Sequence, residues 1–114
     1  MAKHYASGRR GHGDLRQAYR AFASAKPERR TELLKLLTSF VGKSWSEQGC
    51  VDCHFHVSLD DPNMVYFYEN WAERSDFDRH IALNYQKDWF AKQGEYLTKP
   101  VELRFFEMLS PYDM

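Results

Sequence analysis

The sequence lacks an excess of charge of one sign, a long apolar run and a signal-like start. Its 114 residues hold sixteen Lys plus Arg and sixteen Asp plus Glu, whereas nucleic-acid-binding domains normally show a basic excess. No segment approaches the roughly 18 apolar residues needed to span a bilayer. A secretory signal has an apolar segment after its basic residues, and no such segment follows Arg9 and Arg10. We therefore expect a cytoplasmic protein that binds neither nucleic acid nor membranes.

Cysteine is scarce, and the only pair is Cys50 and Cys53 in a C-x-x-C arrangement. Redox pairs of this spacing work at a helix N-terminus, where the thiol pKa is lowered, but this pair lies in an alternating, strand-like run. Residues three apart in a strand point to opposite faces, so a disulfide between them is geometrically poor. We expect two reduced, structural thiols, which fits a cytoplasmic location.

Signatures of metals and nucleotides are also missing. His54 and His56 share one face of a predicted strand, but no third metal ligand lies near them in the sequence. After position 13, glycines occur singly, at Gly42, Gly49 and Gly94, so no glycine-rich loop is available to bind phosphate. No nucleophile elbow is present either. The sequence predicts no metal, nucleotide or flavin cofactor.

What the chain does contain is one domain of alternating strand and helix patterns. Residues 15–24 predict a first strand, and Pro27 suits the first position of a helix. That helix carries one apolar stripe and ends at Gly49, where glycine supplies a positive φ. The stripe consists of Leu33, Leu37, Phe40, Val41 and Trp45. Residues 50–58 and 64–71 predict a hairpin around the turn at 60–63.

The second half predicts one more helix and a last strand. Ser75 suits the N-cap of that helix, with Asp76 and Asp78 in its first turn. Its apolar stripe steps by four through Phe77, Ile81, Tyr85 and Trp89. With a strand at 101–109, the order βαββαβ is the ferredoxin-like unit of the α+β class. We place this domain at 15–110, between a flexible lead-in at 1–14 and a tail at 111–114.

The four-stranded sheet predicts a homodimer. Two helices can cover only one of its faces, yet the strand at 64–71 is apolar or aromatic on both. Its two faces carry Met64, Tyr66 and Tyr68, and Val65, Phe67 and Trp71. The apolar area of such an uncovered face would be larger than the apolar patches that monomers usually expose. We therefore expect two copies packed sheet to sheet around a twofold axis.

Candidate site residues gather between the third strand and the second helix. Glu69 and Trp71 share a strand face, while His80 and Asn84, four residues apart, share a face of the predicted helix. These groups around an aromatic-rich hollow would suit a flat phenolic ligand, whose proton a histidine or glutamate can take. The structural alternatives stay open: Trp71 as core, Glu69 paired with an arginine, and His80 as a satisfied buried histidine.

Four segments together carry a family resemblance. They are the S-E-Q-G-C run at 46–50, the Asp-Pro-Asn turn at 61–63, the Tyr-Glu-Asn-Trp run at 68–71, and His80 nine residues later. Over about residues 17–109 the chain resembles the antibiotic biosynthesis monooxygenase family. That family's pattern reads approximately E-P-G-C, a D-P-N-type turn, Y-E-x-W and a helical histidine. Gln48 replaces the proline, and Cys53 stands where an aromatic residue is common.

The resemblance implies a dimeric α+β barrel that oxidises quinols or polycyclic phenols with dioxygen, without metal, flavin or haem. On this interpretation His80 or Glu69 assists deprotonation, and Trp71 shapes the hollow. Periodicity adds three substrate-binding candidates: Phe67, Asn84 and Tyr85.

Other functions remain compatible with this fold, because function depends on the site rather than on the fold. One branch of the superfamily degrades haem with an asparagine on its first strand, but residues 15–24 contain none. A non-catalytic module that binds a small molecule is the main alternative. An isomerase, cyclase or decarboxylase acting on aromatic polyketide-like substrates is the other.

Overall fold

The computed structural model describes residues 17–110 of the chain. Its elements, in order, are β1 (Gln17–Ser24), α1 (Arg30–Trp45), β2 (Cys50–Val57), β3 (Met64–Trp71), α2 (Arg74–Ile81), α3 (Asn84–Lys92) and β4 (Glu102–Glu107). Single 3₁₀ turns, Pro27–Arg29 and Gln93–Glu95, precede α1 and follow α3. The predicted lead-in at 1–14 and tail at 111–114 lie outside the described residues.

The strands form one antiparallel sheet in the order β2-β3-β1-β4. The predicted α+β, ferredoxin-like class is confirmed, with β1 between β3 and β4. Side chains alternate along β3, so Val65, Phe67, Glu69 and Trp71 are buried while Tyr66 and Tyr68 are half-buried. The predicted stripe of α1 packs on the buried face through Leu33, Leu37 and Phe40.

The prediction of one second helix is wrong, because the segment is divided into α2 and α3. The backbone N–H of Leu83 bonds to the carbonyl of His80, and the Leu83 carbonyl then accepts from the N–H groups of Gln86 and Lys87. Leu83 itself is extended, with φ −71° and ψ 152°. One helix therefore ends before Leu83 and another begins after it. The apolar residues from Phe77 to Trp89 are divided between these two helices.

The predicted cap of α2 is also wrong. Glu73, not Ser75, is the N-cap, and it forms a capping box with Asp76. The Asp76 carboxylate accepts from the backbone N–H of Glu73 at 3.1 Å, which satisfies a donor that the helix start would otherwise leave free. Ser75 already lies inside the first turn.

A β-bulge corrects the prediction for the two cysteines. The register of β2 shifts between Cys50 and Asp52, so Cys50 lies opposite Trp71 and Cys53 lies opposite Glu69. The extra residue, Val51, turns both thiols to the same side of the sheet. Cys50 and Cys53 are free and belong to one buried core, instead of pointing to opposite faces.

Candidate functional site

Three of the predicted site residues come together on the buried face of the sheet. The indole Nε1–H of Trp71 donates to Glu69 Oε1 at 2.9 Å. The same carboxylate oxygen lies 3.8 Å from His80 Nε2. The rings of Trp71 and His80 are 4.7 Å apart between centroids. Strand β3 supplies the first two side chains, and the last turn of α2 supplies the imidazole, which is only 2% exposed.

A second carboxylate holds the other side of the imidazole. His80 Nδ1 lies 2.9 Å and 3.0 Å from the two carboxylate oxygens of Glu47. The hydroxyl of Tyr85 donates to Glu47 Oε2 at 2.6 Å, and Ser44 Oγ lies 3.0 Å from that hydroxyl. Sequence reasoning missed Glu47 as a site residue, although it belongs to the S-E-Q-G-C run that carries the family resemblance.

These contacts assign roles to the two imidazole nitrogens. A carboxylate only accepts hydrogen bonds, so the network assigns the proton to His80 Nδ1, which donates to Glu47. In the neutral ring, Nε2 is then the acceptor, and it lies on the side of Glu69. Burial raises the pKa of Glu69, and the nearby His80 opposes this rise. The site thus pairs a potential proton acceptor with a carboxyl group whose charged form is disfavoured.

The hollow predicted around these residues is nearly filled. A cavity of about 10 Å³ lies between the sheet and the helices, enough for about one water molecule. It is lined mainly by rings: Tyr19, Phe40, Phe55, Phe67, Phe77, Trp89 and Phe90, with Glu69, His80, Ile81 and Gln86. Phe55, Ile81 and Phe90 are only half-buried. A ring-sized ligand therefore requires some of these side chains to move.

The remaining predicted residues have different positions. Phe67 lines the cavity. Tyr85 packs its ring 5.2 Å from that of Phe40 and directs its hydroxyl to Glu47, so it supports the cluster instead of lining the cavity. Asn84 is exposed at the first residue of α3. The premise that it shares a helical face with His80 is wrong, because the helix ends between them.

Residues 17–110 contain neither a cluster of metal-ligating side chains nor a helix that could span a membrane. Within that range, no three His, Cys, Asp or Glu side chains are grouped as metal ligands would be. His54 and His56 are exposed, with ring centroids 6.4 Å apart. The same range contains no helix with the length and apolar character that a membrane crossing needs. A groove of about 550 Å³ along α1, between Arg30 and Ser39, holds none of the clustered residues.

Comparison with known sequences points to one family. A family model described as antibiotic biosynthesis monooxygenase matches residues 18–92. Rv0793 of Mycobacterium tuberculosis, named as a candidate monooxygenase, is 30% identical over 88 residues, covering 77% of this chain and 83% of that protein. The uncharacterized protein sll1783 of Synechocystis is 29% identical over 83 residues, or 73% of this chain. The chain spans 56% of the length of that relative.

Solved structures show the same fold. The structure of Rv0793 superposes with a TM-score of 0.79 at 25% identity, covering 85% of this chain and 98% of that one. A conserved protein from Methanosarcina mazei gives a TM-score of 0.78 at 26% identity, covering 84% and 95%.

Proposed function

The chain belongs to the antibiotic biosynthesis monooxygenase family, and from this premise we propose that it oxidises a quinol or polycyclic phenol with dioxygen, without a cofactor. The observation that carries the proposal is a buried imidazole, His80, held between Glu47 and Glu69 beside a cavity lined with aromatic rings. Rings bind a flat substrate, and the imidazole can remove its hydroxyl proton.

The proposed reaction needs only dioxygen as co-substrate. His80 Nε2 takes the phenolic proton, and the resulting electron-rich phenolate passes one electron to dioxygen. The substrate radical and superoxide then combine at a ring carbon that carries hydrogen, and the peroxide takes the proton back from His80. Loss of water from this hydroperoxide leaves a new carbonyl group. One substrate molecule and one dioxygen thus give one quinone and one water.

Glu69 has a separate role in this proposal. Burial raises the pKa of Glu69 and so disfavours its carboxylate form; in its acid form this group can donate a hydrogen bond to a substrate oxygen on which charge develops. The indole N–H of Trp71 fixes the orientation of this carboxyl group. Phe67 lines the same cavity and would contact the substrate there.

Oxygen uptake with a panel of reduced quinols tests the proposal. The parent protein should consume oxygen faster than buffer autoxidation. Trp71→Phe keeps a ring but removes the donor to Glu69, so kcat should fall about tenfold. Trp45→Phe is the matched control, because its indole N–H bonds to the Cys53 carbonyl instead, at 2.9 Å, and its rate should equal the parent's. A parent rate equal to autoxidation across the panel would reject the oxygenase.

The small volume of the cavity is also compatible with a non-catalytic protein that binds a small molecule. A space of about 10 Å³ would also suit a protein that opens only to bind a small aromatic molecule and catalyses nothing. Tight binding of a quinone in calorimetry, without any oxygen uptake, would favour this non-catalytic module.

We also propose that the protein is a cytoplasmic homodimer whose sheets pack through the face opposite the helices. Phe22 and Phe106 on that face are 37% and 53% exposed, and the rings of Phe22 and Tyr66 are 5.0 Å apart. Packing against a second copy would remove these rings from water. Sedimentation should give twice the 13.5 kDa protomer mass, and Phe106→Lys should shift it toward one protomer. A parent that sediments as a single protomer would contradict this proposal.

A further inference from the structure

Building on the proposed function, we propose that Glu47 is the positioning residue of His80, and that Tyr85 holds Glu47 in place. Glu47 does not line the cavity, so it acts on the substrate only through the imidazole. Its contribution is to fix which nitrogen carries the proton and where the other nitrogen points.

The contact distances carry this assignment. His80 Nδ1 is nearly equidistant from the two Glu47 oxygens, at 2.9 Å and 3.0 Å. The proton on Nδ1 can therefore be donated to either oxygen of the Glu47 carboxylate. Nε2 is then left as an acceptor, 3.8 Å from Glu69 Oε1, and both residues line the cavity. The opposite tautomer would direct an N–H toward Glu69, and the imidazole could not accept the substrate proton.

The break between α2 and α3 serves the same arrangement. In one continuous helix, residues five apart such as His80 and Tyr85 would point about 140° apart around the axis. The interruption at Leu83 allows both side chains to reach the same carboxylate, the Tyr85 hydroxyl at 2.6 Å. Ser44, the next-to-last residue of α1, lies 3.0 Å from that hydroxyl through its Oγ. Three helices thus converge on one hydrogen-bonded chain.

The surroundings of the two carboxyl groups differ in a way that suits different roles. The side chain of Glu47 is 14% exposed and accepts from both the imidazole and the phenol of Tyr85. Glu69 is 6% exposed, and its pKa is raised by burial. A carboxylate that receives two donors is a suitable anchor for Nδ1–H, and this leaves Glu69 to face the substrate.

Nitrogen-15 NMR of histidine-labelled protein tests the assignment without any substrate. His80, identified by the signal lost in His80→Gln, should show a protonated Nδ1 and an unprotonated Nε2 at pH 8. In Glu47→Gln the amide can donate as well as accept, so His80 should populate both tautomers. Tyr85→Phe keeps the ring but removes the hydroxyl that holds Glu47. It should change the tautomer populations of His80 in the same direction as Glu47→Gln, but by a smaller amount.

Kinetics supplies the second measurement. Glu47→Gln should lower kcat about 10- to 100-fold and leave KM near the parent value, since Glu47 does not contact the cavity. The matched control is Glu32→Gln, an exposed glutamate of α1 paired with Arg29, which should leave both the tautomer and kcat unchanged.

The two measurements separate this inference from the proposed function. If no quinol is oxidised but Glu47→Gln still changes the tautomer, the oxygenase proposal fails and the positioning role stands. If the parent carries its proton on Nε2, or if Glu47→Gln changes neither the tautomer nor kcat, the positioning role is wrong. Should Glu47→Gln not fold, the parent tautomer and Tyr85→Phe decide the question in the same way.

Discussion

Replacing Gly49 with alanine should lower the free energy of unfolding by about 3–5 kcal/mol. Gly49 has φ +84°, a conformation that costs an L-residue about 1–2 kcal/mol. An added Cβ would also lie 2.0 Å from Cγ of Asp76. Asp76 cannot simply move away, because it is 7% exposed, closes the capping box of α2 and binds Arg79 at 3.0 Å. Urea denaturation followed by circular dichroism measures the loss.

Gly42→Ala is the matched control for this experiment. Gly42 lies inside α1, and an added Cβ would meet nothing within 4 Å. The substitution should therefore raise stability by about 0.5–1 kcal/mol, because alanine loses less backbone freedom in a helix than glycine does. A Gly49→Ala variant with the urea midpoint of the parent would contradict the close approach of this turn to α2.

The features predicted correctly from the sequence depend on local signals. Gly49 has the predicted positive φ, although the predicted helix end at Gly49 is wrong: α1 ends at Trp45, and Gly49 lies in the turn that leads into β2. The two faces of β3 follow from strict alternation along 64–71, and the structure buries Val65, Phe67 and Trp71 as expected. In each case the pattern and its structural reason lie within about ten neighbouring residues, so a single sequence is sufficient.

The features that were missed depend on contacts between distant residues. The apolar period of four continues across Ala82 and Leu83, so nothing local marks the helix break, whereas the bond from Tyr85 to Glu47 spans 38 residues. The bulge at Val51 likewise follows from pairing with β3, not from the alternation of β2 itself. The register of a strand and the point where a helix breaks depend on the element that packs or pairs with it. The apolar periodicity of the segment itself carries no information about that element.

The candidate site was predicted in part for the same reason. Glu69 and Trp71 are two residues apart on one strand, so their shared face could be predicted, and the structure adds their 2.9 Å hydrogen bond. The filling of the cavity by rings such as Phe55 and Phe90 depends on side-chain rotamers contributed by separate elements. The sequence pattern therefore placed Glu69 and Trp71 on one face correctly but overestimated the free volume beside them.

Removing the imidazole should have the largest effect on activity. His80→Gln keeps a side chain that can donate to Glu47, but it has no group that takes a proton near neutral pH. General-base catalysis typically contributes about 10²- to 10⁴-fold, so kcat for the proposed quinol oxidation should fall by that factor, with little change in KM. Oxygen uptake at saturating quinol measures the loss, and the urea midpoint of each variant shows whether it is folded.

His80→Ala distinguishes the loss of a base from the loss of packing. The shorter side chain leaves a space beside Trp71, whose ring lies 4.7 Å from the native imidazole, and free imidazole added to the assay can occupy it. Activity should then return in a concentration-dependent manner in His80→Ala but not in His80→Gln, because glutamine fills the space. If both variants oxidise quinols at the parent rate without added imidazole, the base is a different residue and Glu69 becomes the leading candidate, since it lines the same cavity.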